Sequence, residues 1–165
     1  MQKEKVYELI GKLTMQFATI EHRLQGLLET LIGNGNSLVG PLFIHNMPLV
    51  ALLRKIQLLS RCKIQNHSEL LSELEQTIKK IDALREERNL LIHGDWKIET
   101  TKSQSIKVRD FKMRYDNGKW EEFSETEFTE TTLRTLIEQL DGLCNEVDYL
   151  VRKLSEIQFN KNTCK

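Results

Sequence analysis

The sequence predicts a mainly α-helical chain, a bundle of four or more helices with a small antiparallel hairpin or sheet inserted before the last one. Three observations carry that expectation. Leucine and isoleucine recur every three or four residues through four separate stretches, the spacing of one helix face. Glycine-containing stops follow at Gly33 and Gly94. Between Trp96 and Phe123 the hydrophobic period shortens towards two around an Asn-Gly pair, the strongest short signal for a hairpin turn.

Taken in order, Val6, Leu9, Ile10, Leu13, Phe17, Ile20, Leu24, Leu27, Leu28 and Leu31 predict a first helix from about Lys3 to Ile32. Gly33-Asn34-Gly35-Asn36-Ser37 should end it, because glycine and asparagine tolerate the left-handed backbone of a helix exit. A short apolar stretch surrounds Phe43. Pro48, whose missing N–H is harmless in a first turn, opens a second helix carried by Leu49, Leu52, Leu53, Ile56 and Leu59 to about Arg61. Asn66 is a candidate N-cap, with Glu69 completing a capping box, for a third helix that reaches His93 before Gly94.

Trp96 and Ile98, then Ile106 and Val108, then Phe111, Met113 and Tyr115 alternate as strands do, with Asp110 at a change of phase that a bulge explains. Asn117-Gly118 is the expected turn, with Trp120 and Phe123 on the returning strand. The last helix should start after Phe128, capped by Thr129, and run to about Gln158. The expected organisation is one helical domain over 1–158, a β insertion at about 95–123 and a polar tail at 159–165.

Composition narrows the function classes. The 165 residues carry 24 basic and 24 acidic side chains, so the overall basic footprint usual in duplex-binding proteins is absent, although a local basic cleft remains compatible. Cys62, Cys144 and Cys164 stand too far apart for a Cys-x-x-Cys pair and read as reduced intracellular thiols. No zinc or two-metal spacing occurs, and no cofactor is expected. With neither a signal-peptide pattern at Met1–Lys5 nor an eighteen-residue apolar run, a cytoplasmic location and no membrane partner are expected.

The third helix holds the residues with chemical potential. At about 100° per residue, with Arg85 as origin, Leu74, Ile78, Ile81 and Ile92 cluster within about 40° of it. Arg88 at about 300° and Asn89 at about 40° fall inside the same stripe, and His93 stands at its edge, one turn beyond Asn89. Arginine within an apolar stripe destabilises unless its charge reaches water or a partner. Two readings satisfy that. The arginines either extend to solvent or pair with Glu86, Glu87 or Glu21, or the helix end opens onto a polar cleft or subunit interface where guanidinium meets phosphate. His93 likewise either caps the negative end of the helix or serves as a proton carrier near neutral pH.

Arg88-Asn89-Leu90-Leu91-Ile92-His93 is similar to the Arg-polar-x3-His motif of the HEPN superfamily, the higher eukaryotes and prokaryotes nucleotide-binding domains. The resemblance extends from about Val6 to Gln158 and implies an HEPN-like helical bundle, usually dimeric, with two copies of the motif meeting in one composite cleft. Many members are metal-independent endoribonucleases of toxin–antitoxin, phage-defence and RNA-processing systems. It implies that Arg88 binds and polarises the scissile phosphate, and that His93 acts as general base on the 2′-hydroxyl or general acid on the 5′-oxygen. Asn89 would orient the phosphate or His93, and the products would carry 2′,3′-cyclic phosphate and 5′-hydroxyl ends. Arg85 is a further candidate substrate-binding residue, and Glu21 resembles the first-helix acid frequent in relatives. The implied partners are RNA or nucleotide, a second copy, and an antitoxin or effector-system protein. Some members bind without cutting, so a non-catalytic nucleotide-binding, RNA-binding or protein-interaction dimer is the alternative. The β insertion with Trp96, Tyr115 and Trp120 lies outside the common core of the family. Arg109, Lys112 and Arg114, alternating with Phe111, Met113 and Tyr115, suit either RNA contact or an ordinary strand with one wet face.

Overall fold

The computed structural model describes residues 3–33, 44, 47–97, 105–110, 115–116, 119–120 and 125–162, of which 115–116, 119–120 and 158–162 are described by their backbone alone. Four long helices are present among them, α1 (Lys3–Ile32), α2 (Leu49–Lys63), α3 (Ser68–His93) and α4 (Glu130–Asn162). Five short strands among the described residues, β1 (Asp95–Lys97), β2 (Ser105–Arg109), β3 (Tyr115–Asp116), β4 (Lys119–Trp120) and β5 (Glu125–Thr129), lie between α3 and α4. The predicted class holds: a mainly helical chain with a small antiparallel sheet before the last helix.

Helix ends show where chain chemistry acts. Gly33 takes φ 78°, the left-handed exit that favours glycine, and donates its N–H to Glu29 O at 3.1 Å. Pro48 is the residue before α2 rather than its first turn, its carbonyl accepting from Leu52 N at 3.0 Å. Asn66 does not cap α3. It lies in a turn closed by His67 N–H on Ile64 O at 2.8 Å, and His67 takes the cap position with its carbonyl accepting from Leu71 N. Thr129 caps α4 as expected, its Oγ1 accepting from Thr132 N at 3.1 Å while Thr132 Oγ1 accepts from Thr129 N at 2.7 Å. That helix extends past Gln158 to Asn162, because no glycine or proline stops it and each added residue gains a backbone hydrogen bond.

The sheet has the order β1-β2-β5, antiparallel throughout. Trp96 stands opposite Val108 and Ile106 opposite Phe128, so one face is apolar and buried while Lys107, Arg109, Glu125 and Glu127 occupy the other. Strand β5 is not anticipated from the sequence and carries the insertion on to Thr129. The hairpin β3-β4 pairs Tyr115 with Trp120 and Asp116 with Lys119, the register that an Asn-Gly turn sets. Asn34–Ser37, Phe43, Ile98, Phe111, Met113, Asn117, Gly118, Phe123 and Cys164 lie outside the described residues.

The chain groups into two compact units. The first, Met1–Gln16 with Ala83–Gln139, buries Leu9, Leu13, Leu91, Ile106, Val108 and Leu133, each at 1% exposure or less. The second, Phe17–Asp82 with Leu140–Lys165, is a four-helix arrangement around Ile20, Leu24, Ile56, Leu74, Ile81, Leu140 and Val147. Side chains tie its helices together: Arg23 to Asp148 at 2.5 Å, Arg61 to Glu75 at 2.7 Å, and Lys80 with Thr77 to Glu146 at 2.9 and 3.0 Å. No described helix is long and apolar enough to cross a membrane.

Candidate functional site

Four of the five candidate residues, Arg85, Arg88, Asn89 and His93, lie on the last turns of α3, within the first unit. From Leu74 to Ile81 the buried positions of this helix centre near 330°, on the wheel that has Arg85 as origin, as the apolar stripe predicts. Beyond Ile81 the buried sector turns by about 80°, to Leu84 and Leu91 at about 260° and 240°. Arg85, Arg88, Asn89 and Ile92 stay on the original sector and are therefore half-buried, while His93 is exposed. A wheel that keeps the stripe straight places the arginines in the core. The observed turn places them instead on a partly open face, where a charge retains access to water.

Arg88 Nη1 donates to Asn89 Oδ1 at 3.2 Å, and its Nε is shielded from solvent. Arg85, 17% exposed at its side chain, pairs with the adjacent Glu86, one of the partners anticipated for it. Partial burial pushes the carboxyl of Glu87 above the ordinary range. Glu21 is half-buried on α1 and belongs to the second unit. His22 is exposed, and His45, Lys112 and Arg114 lie outside the described residues. Arg109, on β2, binds Glu125 Oε2 at 3.0 Å, so the bland reading of that strand as a charged outer face holds for it. Among the described residues no group of three or more histidine, cysteine, aspartate or glutamate side chains is arranged to hold a metal ion.

The setting of His93 depends on a clamp that sequence reasoning missed. Helix ends leave carbonyls without intrahelical donors. Here Gly94 N–H reaches Leu90 O at 2.8 Å and the Trp96 indole Nε1–H reaches Leu91 O at 2.8 Å. Trp96 is also fixed in the ladder opposite Val108. A Cβ at Gly94 would lie 2.5 Å from Leu90 O and 2.8 Å from Arg109 O, so glycine is required by the closeness of β2 rather than by a left-handed backbone. The available signal was an aromatic donor two residues beyond a helix-ending glycine.

Comparison of the chain with protein-family models, with curated protein sequences and with solved structures gives no match.

Proposed function

We propose that this chain is a metal-independent endoribonuclease of HEPN type, acting in the cytoplasm as the toxin or effector of a toxin–antitoxin or phage-defence system. The observation that carries the reading is the end of α3: Arg88 and Asn89 hydrogen-bonded to each other on a half-open face, with exposed His93 one turn further on. In this reading Arg88 binds a non-bridging phosphate oxygen and stabilises the charge that builds there. The 2′-oxygen attacks phosphorus as His93 takes its proton, the bond to the 5′-oxygen breaks, and a protonated histidine supplies that oxygen with a proton. A second copy of the motif in a composite cleft supplies the second histidine, so that base and acid act together. Asn89 orients the guanidinium, with Arg85 as a supporting position.

The test is cleavage of a mixed RNA pool in EDTA by the wild type beside Arg88→Ala and His93→Ala, all checked for folding. The expected outcome is cyclic-phosphate ends from the wild type and losses of about 10²- to 10⁴-fold in the variants. Equal cleavage by all three removes the assignment. The pairing of Arg85 with Glu86 favours a second reading, a protein-interaction helical dimer in which the arginines serve glutamates rather than phosphate. Absence of both cleavage and RNA binding in the same assay selects it, and binding without cleavage selects a non-catalytic nucleotide- or RNA-binding dimer.

A further inference from the structure

Helix α2 stands apart in its charge. Its 15 residues hold Arg54, Lys55, Arg61 and Lys63 and no aspartate or glutamate. The other helices mix signs: four basic and four acidic side chains on α1, four and six on α3, four and six on α4. Their surfaces accordingly carry short-range ion pairs such as Lys12 with Glu8 and Arg134 with Glu130.

The cations of α2 are also displayed together. Arg54, Lys55, Arg61 and Leu58 are all exposed, whereas Leu52, Leu53 and Ile56 on the opposite side are 0–3% exposed. On a helix wheel Arg54, Arg61 and Lys55 fall within about 60° of Leu58, one sector spanning ~10 Å of axis. The favourable interaction of cations with a helix C-terminus accounts for Arg61 and Lys63, but not for Arg54 and Lys55 in the middle turns. Arg61 shares Glu75 at 2.7 Å, while neither Arg54 nor Lys55 has a carboxylate at ion-pair distance among the described residues.

We infer that the outer face of α2 docks the phosphate backbone of RNA. A row of separate cations along one helix face matches a repeating charge and reads no sequence. An anionic membrane fits less well, since interfacial helices sink a broad apolar face and α2 buries its own inside the protein, leaving only Leu58. A neutral chain thus gains a local basic surface by segregating charge, not by accumulating it. The inference goes beyond the cleavage reading, and it stands if the chain binds RNA without cutting it.

The test uses the full chain carrying His93→Ala, so that no probe is cut, and a fluorescein-labelled single-stranded 20-nucleotide RNA followed by anisotropy over a salt series. Arg54→Gln/Lys55→Gln should weaken binding about tenfold or more at low salt and flatten the plot of log K against log salt by about 1.4, about 0.7 per lost contact. Lys12→Gln on α1, an exposed cation outside the face, should change neither, and Arg54→Lys/Lys55→Arg should restore both. Failure of the parent to bind RNA, or equal affinity and slope for the double variant, overturns the inference. So does an effect of the double variant confined to phosphatidylserine vesicles or to polyglutamate, which reassigns the face to a membrane or an acidic protein.

Discussion

Single residues already separate strain, charge and packing in this chain. Gly94 is the position with no room for a side chain, because the carbonyls of Leu90 and Arg109 occupy the space a Cβ needs. Gly94→Ala is therefore expected to cost about 1–3 kcal/mol, the usual range for overpacking, in urea denaturation monitored by circular dichroism. Gly11→Ala, whose new methyl meets nothing within 4 Å, should instead stabilise α1 by about 0.5–1 kcal/mol. Glu8 shows the charge case. Hydrogen bonds from Lys12 and then Lys5 pull its carboxyl down from 4.5 to about 2. A depressed carboxylate contributes stability above its unfolded pKa and loses it as pH falls from about 5 towards 2. An NMR titration should place the Glu8 midpoint well below the ordinary glutamate value, with 0.5 M salt raising it towards that value, because the group is exposed and screened. A Glu8 midpoint near 4.5 at low salt contradicts the pairing.

At the scale of elements, the reciprocal bonds between Thr129 and Thr132 nucleate α4 where β5 ends. Thr129→Ala should cost about 1 kcal/mol and Thr129→Ser much less, measured as denaturation midpoints at constant slope. Most elements were legible because their physics is local. A stripe repeating every 3.6 residues specifies α1 and α4, and a threonine before an apolar run specifies a cap. Strand β5 was not legible, since Glu125-Thr126-Glu127-Phe128-Thr129 offers one large apolar residue and is held by its ladder to β2. The turn of the buried sector on α3 was hidden for the same reason. A wheel assumes one direction of burial, whereas Leu84 and Leu91 are buried and Ile92, on the straight stripe, is only half-buried. The motif itself was readable as letters. Its exposure and the indole clamp depend on contacts with β1 and β2, which no spacing within α3 encodes.

At the scale of the whole molecule, the proposed reaction needs two histidines and each chain brings one motif. Light scattering at micromolar concentration should return twice the 19.3 kDa of the chain. Negative charge introduced on the open face, by Asn89→Glu with Ile92→Glu, should return the single-chain mass with the helical circular dichroism signal intact. A wild-type mass of one chain would count against a composite cleft while leaving the binding reading of α2 untouched.

The clamp at Trp96 couples two things that usually vary separately. Gly94 N–H on Leu90 O and the Trp96 indole N–H on Leu91 O both reach back into the last turn of α3, and Trp96 is at the same time paired with Val108 in the ladder. Fraying of this helix end and detachment of β1 are then one cooperative event with one opening free energy. The sheet behaves as a fuse. Conditions that melt it are then expected to release the turn that carries His93 at a lower temperature than the one at which the whole helical signal collapses.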